Sequence, residues 1–335
     1  MQEIDFVVPW VDCNDPVWKK KYASYKGEEL VLEGEQGARY RENDIFKYWF
    51  RAVEKYAPWV RKIHLITDNQ IPTWLNVDHP KLNLVNHTDY IPSQYLPTFN
   101  SNVIDLNMHR INGLSEKFVY FNDDLFLNGP IDSEFYFIKG LPCDSLLLKP
   151  LSPYDVESFQ FLSMMIMNTA LINKNFSLKK LVKRSPEKLY SLSYSTKILK
   201  NYCYYKFNKK FIGFDNPHLP QPFIKSVLND VWEKEGEYLD ATCKNKFRGI
   251  GDISQYLFRY WQLASAKFHP ISPKHMGRYY NICNANVSRI LKTLKNESYK
   301  QICLNDSIHF DDDRALEQIR EALDEKFQYK SIYEI

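Results

Sequence analysis

The stretch Phe118-Val-Tyr-Phe-Asn122-Asp123-Asp124 constrains the fold more than any other part of the chain. Four apolar or aromatic residues in a row read as a strand buried on both faces, the habit of parallel sheets covered by helices. The run stops at three oxygen-bearing side chains. The same pairing recurs elsewhere. Ile4 to Val11 runs into Asp12-Cys-Asn-Asp15, Ile63 to Thr67 into Asp68-Asn69, and Leu82 to Val85 into Asn86-His87. Helical patterns lie between these runs. Ile45, Phe46, Trp49, Phe50, Val53, Tyr56 and Ala57 share one helix face, which Pro58 terminates. A second helix is expected from Asn102 to Ile111, closed by Gly113. Strand, helix, strand, strand, helix, strand is α/β organisation. The first 150 residues are therefore expected to form a nucleotide-binding half, with 151–335 completing the same site.

In open α/β sheets, ligands collect beyond the carboxyl ends of the strands. Adjacent carboxylates there, Asp123 and Asp124, suit a hard divalent cation (Mg²⁺ or Mn²⁺) bridging to phosphate oxygens. Cationic side chains stand at two helix entrances, which favour anions. Arg39 and Arg41, with Glu42 and Asn43, precede the first helical stripe. Arg248 lies in Phe247-Arg-Gly-Ile-Gly-Asp252, ahead of a stripe of Ile253, Tyr256, Leu257, Tyr260, Trp261 and Ala264. His218 is set among three prolines in Asn216-Pro-His-Leu-Pro-Gln-Pro222, a stiff segment. Ile302-Cys-Leu-Asn305-Asp306 repeats the arrangement of a strand with a polar end. Residues 19–38 are polar with three glycines and read as a mobile loop. The acidic run Asp311 to Asp313 reads as the start of a last helix that buries Leu316, Ile319, Leu323 and Phe327.

Charge and cysteines narrow the class. A net charge of +3 excludes a global nucleic-acid binder, so a basic partner surface has to be local. One such region exists: residues 179–210 hold ten Lys or Arg against one acidic residue, interleaved with six Tyr or Phe. It invites contact with an anionic membrane surface. Six cysteines without a C-x-x-C pair argue against a zinc site and a disulfide framework, and fit a reducing cytoplasm. The acidic start Met-Gln-Glu-Ile-Asp carries no signal-peptide pattern. The apolar run Phe159 to Ile172 is too short and too polar to span a bilayer.

Taken together, four blocks of residues resemble the Stealth family, which includes bacterial capsular polysaccharide phosphotransferases. They are Ile4 to Asp15; Arg39 to Asp124, with Arg39-Tyr-Arg-Glu-Asn43, Asp68-Asn-Gln-Ile-Pro-Thr-Trp-Leu75, His109-Arg-Ile-Asn-Gly-Leu-Ser115 and Tyr120-Phe-Asn-Asp-Asp124; His218-Leu-Pro with Phe247-Arg248 and Asp252; and Cys303-Leu-Asn305-Asp306. Val8-Pro9 departs from the Tyr-Thr that relatives often carry. The resemblance implies a Rossmann-like, glycosyltransferase-A-like α/β fold with a mostly parallel sheet flanked by helices and a mainly helical basic insertion. It also implies transfer of a sugar-1-phosphate from a UDP-sugar to a hydroxyl of a surface polysaccharide, with release of UMP. Asp123 and Asp124 would hold Mg²⁺ or Mn²⁺, oriented by Asn122. Asp12 and Asp15 would line the donor pocket, Arg248 would neutralise phosphoryl oxygens with Arg41 assisting, and Asp252, Asn305 and Asp306, with Asn43, would complete the polar floor. His218 is either the general base on the acceptor, an oligosaccharide that can be lipid-linked, or a phosphate ligand. Two other readings stand beside this one: a metal-dependent glycosyltransferase that releases UDP, and a noncatalytic polysaccharide- or nucleic-acid-binding protein supported only by 179–210.

Overall fold

Strand β1 (Ile4–Pro9) is buried from Ile4 to Val8 and lies in the middle of a five-stranded sheet. The computed structural model describes residues 3–27, 43–153, 156, 158–306 and 313–335. Arg39, Arg41 and Glu42, like Asp311, lie outside the described residues. Beside β1 run β2 (Ile63–Thr67) and β4 (Lys117–Tyr120), with β3 (Leu82–Asn86) beyond β2, all parallel. A late strand, β6 (Gln221–Ile224), closes the other edge antiparallel to β4, giving the order β3-β2-β1-β4-β6. The expected α/β architecture, a mostly parallel sheet flanked by helices, is the one observed.

Alternation along the strands divides the core. Ile4, Phe6 and Val8 point to one face, where α2 (Phe46–Tyr56) lays Phe46, Trp49, Phe50 and Val53. Val7, Ile66, Phe118 and Tyr120 point to the other, packed by α3 (Ser101–Leu106), α7 (Lys225–Cys243) and α8 (Tyr256–Ala264). Apolar cover on both sides is why these strands show no polar alternation.

A second sheet continues the first. Strand β5 (Leu125–Leu127) follows β4 after only Phe121 and Asn122-Asp123-Asp124, and pairs antiparallel with β8 (Gln301–Asn305), which runs parallel to β7 (Arg278–Asn281). Residues on both sides of position 150 therefore build both sheets. The 179–210 region is mainly helical, as expected: α5 (Leu178–Arg184) and α6 (Lys197–Asn208) follow α4 (Phe159–Asn175). No helix among the described residues is long and apolar enough to cross a membrane.

Of the loop expected over 19–38, residues 19–26 belong instead to a helix, α1 (Pro16–Lys26), and 28–38 lie outside the described residues. Asp15 caps it by accepting from the Val17 N–H at 2.8 Å, Pro16 supplies the first turn, and Gly27 ends it in the left-handed conformation at φ +79°. The helix expected from Asn102 to Ile111 stops at Leu106, and Met108–Arg110 forms a separate 3-10 turn.

Candidate active site

The carboxyl ends of β1, β2 and β4 open into a cavity of about 800 Å³. Strand pairing explains which residues meet there. Tyr120 pairs with Gln221 across β4 and β6, so the chain leaving β4 and the chain approaching β6 emerge side by side. That brings His218 to Asn122 and Asp124. His218 Nε2 lies 3.3 Å from Asp124 Oδ2 and 3.5 Å from Asn122 Nδ2. The pairing of Cys303 with Leu125 brings β8 to the same turn, where the Cys303 thiol donates to Asp124 Oδ2 at 3.2 Å and the Leu304 N–H to the Asp124 carbonyl at 2.9 Å. Tyr279 sets its ring edge-on to His218 at 5.9 Å.

Electrostatics couple Asp124, His218 and Cys303. Burial works against the Asp124 carboxylate, but the His218 charge and hydrogen bond together with the Cys303 thiol hold its pKa below the usual value. Burial likewise works against an imidazolium at His218, and the Asp124 carboxylate outweighs it, so that pKa is raised. Burial and the same carboxylate push the Cys303 thiol well up, which keeps it protonated.

Arg248 comes from the turn between α7 and α8. Its guanidinium donates to Ser101 Oγ at the start of α3, from Nε at 3.2 Å and from Nη2. Asp252 holds that turn. Its carboxylate accepts from Gly249 N–H at 2.8 Å, Asn100 Nδ2 at 2.9 Å and Asn245 Nδ2 at 2.7 Å, while Gly251 turns the chain at φ +82°. Asp252 is buried and does not line the cavity. The residue, expected among the catalytic groups, stands behind Arg248 in the turn that carries it.

Five of the residues expected from sequence line the one cavity: Asn122, Asp123, His218, Arg248 and Asn305. Asp124 stands directly behind His218. Asp12 and Asp15 are not brought in. Asp12 caps its own turn by accepting from the Asn14 N–H at 2.7 Å, and Asp15 is spent on the α1 cap and on Gln70. Their neighbours Pro9, Trp10 and Val11 line the cavity in their place. Asn43 and Asp306 meet each other at 3.5 Å, away from the lining, and Arg41 lies outside the described residues.

The cavity also takes residues that the sequence reading passed over. Asp68 and His87, at the ends of β2 and β3, approach to 3.9 Å, and Lys21 of α1 pairs with Asp68 at 2.6 Å. Burial pushes His87 down to about 4, so its imidazole is neutral. Asp105 of α3 accepts from Tyr120 Oη at 2.9 Å, and burial raises it to about 7 against the pull of Tyr120 and Arg248. Position at a strand end was the available signal for Asp68 and His87; Asp105 offered none.

The residues present fit a hard divalent cation. Asp124 Oδ1 is buried and has no hydrogen-bond partner among the described residues, a state that a cation would relieve. Asp123 opens onto the cavity next to it. Asp124, His218 and Cys303 present ligand atoms within 4.8 Å of one another. A protonated, buried thiol is a poor partner for such an ion, so the oxygen donors define the site.

The sequence profile described as Stealth protein CR2, conserved region 2, matches residues 39–143. The capsular polysaccharide phosphotransferase WcwK of Streptococcus pneumoniae is 41% identical over 336 residues, covering 100% of this chain and 98% of its own. The chain belongs to the Stealth family. The receptor polysaccharide phosphotransferase WefC of Streptococcus oralis is 38% identical over 100% of both chains, and the exopolysaccharide phosphotransferase cps2G of Lactiplantibacillus plantarum 38% over 99% of this chain and 96% of its own. The Stealth match from sequence and the expectation of a transferase enzyme both hold. Among solved structures, the galactosyltransferase LgtC in complex with donor and acceptor sugar analogs aligns over 95% of each chain at 8% identity and a TM-score of 0.39, too loose a likeness to bear on the chemistry.

Proposed function

We propose that this enzyme transfers a sugar-1-phosphate from a UDP-sugar to a hydroxyl of a growing surface polysaccharide, releasing UMP. Membership of a family of polysaccharide phosphotransferases supports the reaction class. The observation that carries the reading is the convergence of Asp123, His218 and Arg248, from three separate parts of the chain, on one cavity, with Asp124 directly behind His218. Its volume of about 800 Å³ falls within the range of small-molecule sites.

In this reading Asp123 and Asp124 hold Mg²⁺ or Mn²⁺, which when bound neutralises the donor diphosphate. The acceptor hydroxyl attacks the phosphorus nearer the sugar. A new P–O bond forms to the acceptor, the bridging P–O bond to UMP breaks, and the hydroxyl proton passes to a base. Such transfers need positioning and charge stabilisation more than covalent help. Arg248, fixed by Ser101 and by the turn that Asp252 ties down, meets the phosphoryl oxygens. His218 serves either as the base or as a second cationic ligand of the phosphate, roles that a pH–rate profile separates. Trp10, Asp68 and His87, at the strand ends, would receive the nucleoside, with residues 1–150 binding most of the donor and 151–335 supplying Arg248, His218 and the acceptor side of the same site. The enzyme acts in the cytoplasm in this account, with its acceptor lipid-linked and presented at the membrane.

Chromatography of the nucleotide product tests the reaction directly. UMP with a phosphodiester in the ³¹P NMR spectrum of the polysaccharide is the expected result. Stoichiometric UDP with no phosphorus in the product would move the enzyme to glycosyl transfer.

A further inference from the structure

Helix α6 packs Tyr204 and Tyr205 against the core, yet it carries apolar residues on its outward side as well. Its inward side carries Asn201, which donates from Nδ2 to the carbonyls of Leu146 and Leu189 at 2.8 Å each and accepts from the Leu148 N–H at 2.9 Å. Its outward side carries Leu199, Cys203 and Phe207, spaced four apart and so stacked in one stripe. Leu199 is 68% exposed and Phe207 80%, with Tyr202 at 53% beside them. Lys200 and Lys206 flank the stripe, Lys209 and Lys210 follow it, and the helix contains no acidic residue. Helix α5 differs. Its Leu178 and Leu181 are buried, so its exposed Lys179, Lys180, Lys183 and Arg184 make an ordinary solvated face.

We infer that the outward face of α6 docks on an anionic lipid surface. Single exposed apolar residues are ordinary, but a contiguous stripe rimmed by one sign of charge marks an interaction site. The chemistry selects the occupant. Leu199 and Phe207 give the face apolar depth, which a hydrated polyanion does not use. The lysines give it a charge that repels a second copy of the same face. Apolar side chains seated among acyl chains, with lysines at the headgroups, satisfy both at once. Twelve residues cannot cross a bilayer, so α6 lies in the interface. The inference goes beyond the proposed reaction and is tested without it.

The experiment is co-sedimentation of the full chain with vesicles of phosphatidylcholine alone or mixed with phosphatidylglycerol. Binding is expected only with phosphatidylglycerol, and it weakens as salt rises. Lys200→Glu with Lys206→Glu should weaken it by about tenfold or more, since each basic residue at the surface contributes. Leu199→Ser with Phe207→Ser should weaken it by about tenfold while leaving the salt dependence in place. All four side chains are exposed, so the variants are expected to keep the wild-type circular dichroism spectrum. Equal binding to both vesicle types at low salt, or binding to neither, overturns the inference. So does self-association that Phe207→Ser abolishes, which would make the occupant a second copy. Binding to dextran sulfate as tight as to vesicles and indifferent to the Leu199 and Phe207 changes would make the face a polyanion site and overturn it as well.

Discussion

Two carboxylates on neighbouring strands, the buried Asp5 near the start of β1 and the half-buried Asp124 beyond the end of β4, are treated in opposite ways. Asp5 accepts from Arg61 at 2.8 and 2.5 Å and from the Ser115 N–H at 2.8 Å, and lies 3.0 Å from His64 Nε2. Asp124 has His218 and Cys303 on one oxygen and, among the described residues, no hydrogen-bond partner on the other. The contrast extends along the sheet. Trp10 Nε1, Thr67 Oγ1 and Gln221 Oε1, all at the end of the sheet where Asp124 lies, are also buried without a hydrogen-bond partner among the described residues. Unmet polar groups in a native interior cost stability. Trp49 Nε1, His109 Nδ1, Asn128 Oδ1 and Thr169 Oγ1 are unmet elsewhere, while Asp124 and these three lie at the end where the cavity opens. One end of the sheet holds the fold together and the other is left open for chemistry.

Exchanging the roles breaks the comparison. Asp124→Ala should lower turnover by on the order of 10³ or more while leaving the unfolding midpoint in urea nearly unchanged. Chelation should do the same reversibly, with activity restored by Mg²⁺ or Mn²⁺. Full turnover in excess chelator would remove the metal from the account.

Asp5→Ala should do the reverse, costing about 3 kcal/mol because it strands Arg61 and His64, with turnover of the folded fraction unchanged. Burial opposes the Asp5 charge, yet His64, Arg61 and the Ser115 N–H overcome it and depress the pKa. Its stabilisation is therefore complete above the unfolded value of about 3.9 and fades as pH falls through the lower folded value. Urea titrations at pH 6 and pH 2.5 should show the difference between wild type and variant shrinking with acid.

His218→Ala and Arg248→Ala should each reduce turnover by on the order of 10². Near-normal turnover in a folded variant would return that residue to a structural part. Asp252→Asn should have the smallest effect, roughly tenfold on turnover, because it loosens the turn beneath Arg248 and touches no substrate. Loss as large as that of Arg248→Ala would place Asp252 back among the reacting groups.

The strands of the donor half were legible because their apolar runs are short and stop at polar residues. β1 to β4, the α2 stripe and the β8 segment emerged where expected. Helix α1 was not legible, since only Trp18 and Tyr22 are buried on it and its signal was the Asp15-Pro16 start. That same pair explains why Asp15 caps α1. His218, Arg248 and Asn305 were found at the site through their local settings, though their meeting depends on pairings across some 180 residues. Asp105 was invisible because a helical aspartate shows its burial only in three dimensions.

The Asn122–Asp124 turn leaves one sheet and enters the other, with Phe121 and Leu125 packed in a shared core on either side. Only the folded chain offers that joint. A ligand gripping it must therefore raise the melting temperature by mass action, by about 2.7 kcal/mol of stability at a hundred times its Kd. Heating the protein with one nucleotide sugar after another, with and without Mg²⁺, would thus sort donors by the height of the melting curve, before any acceptor is in hand.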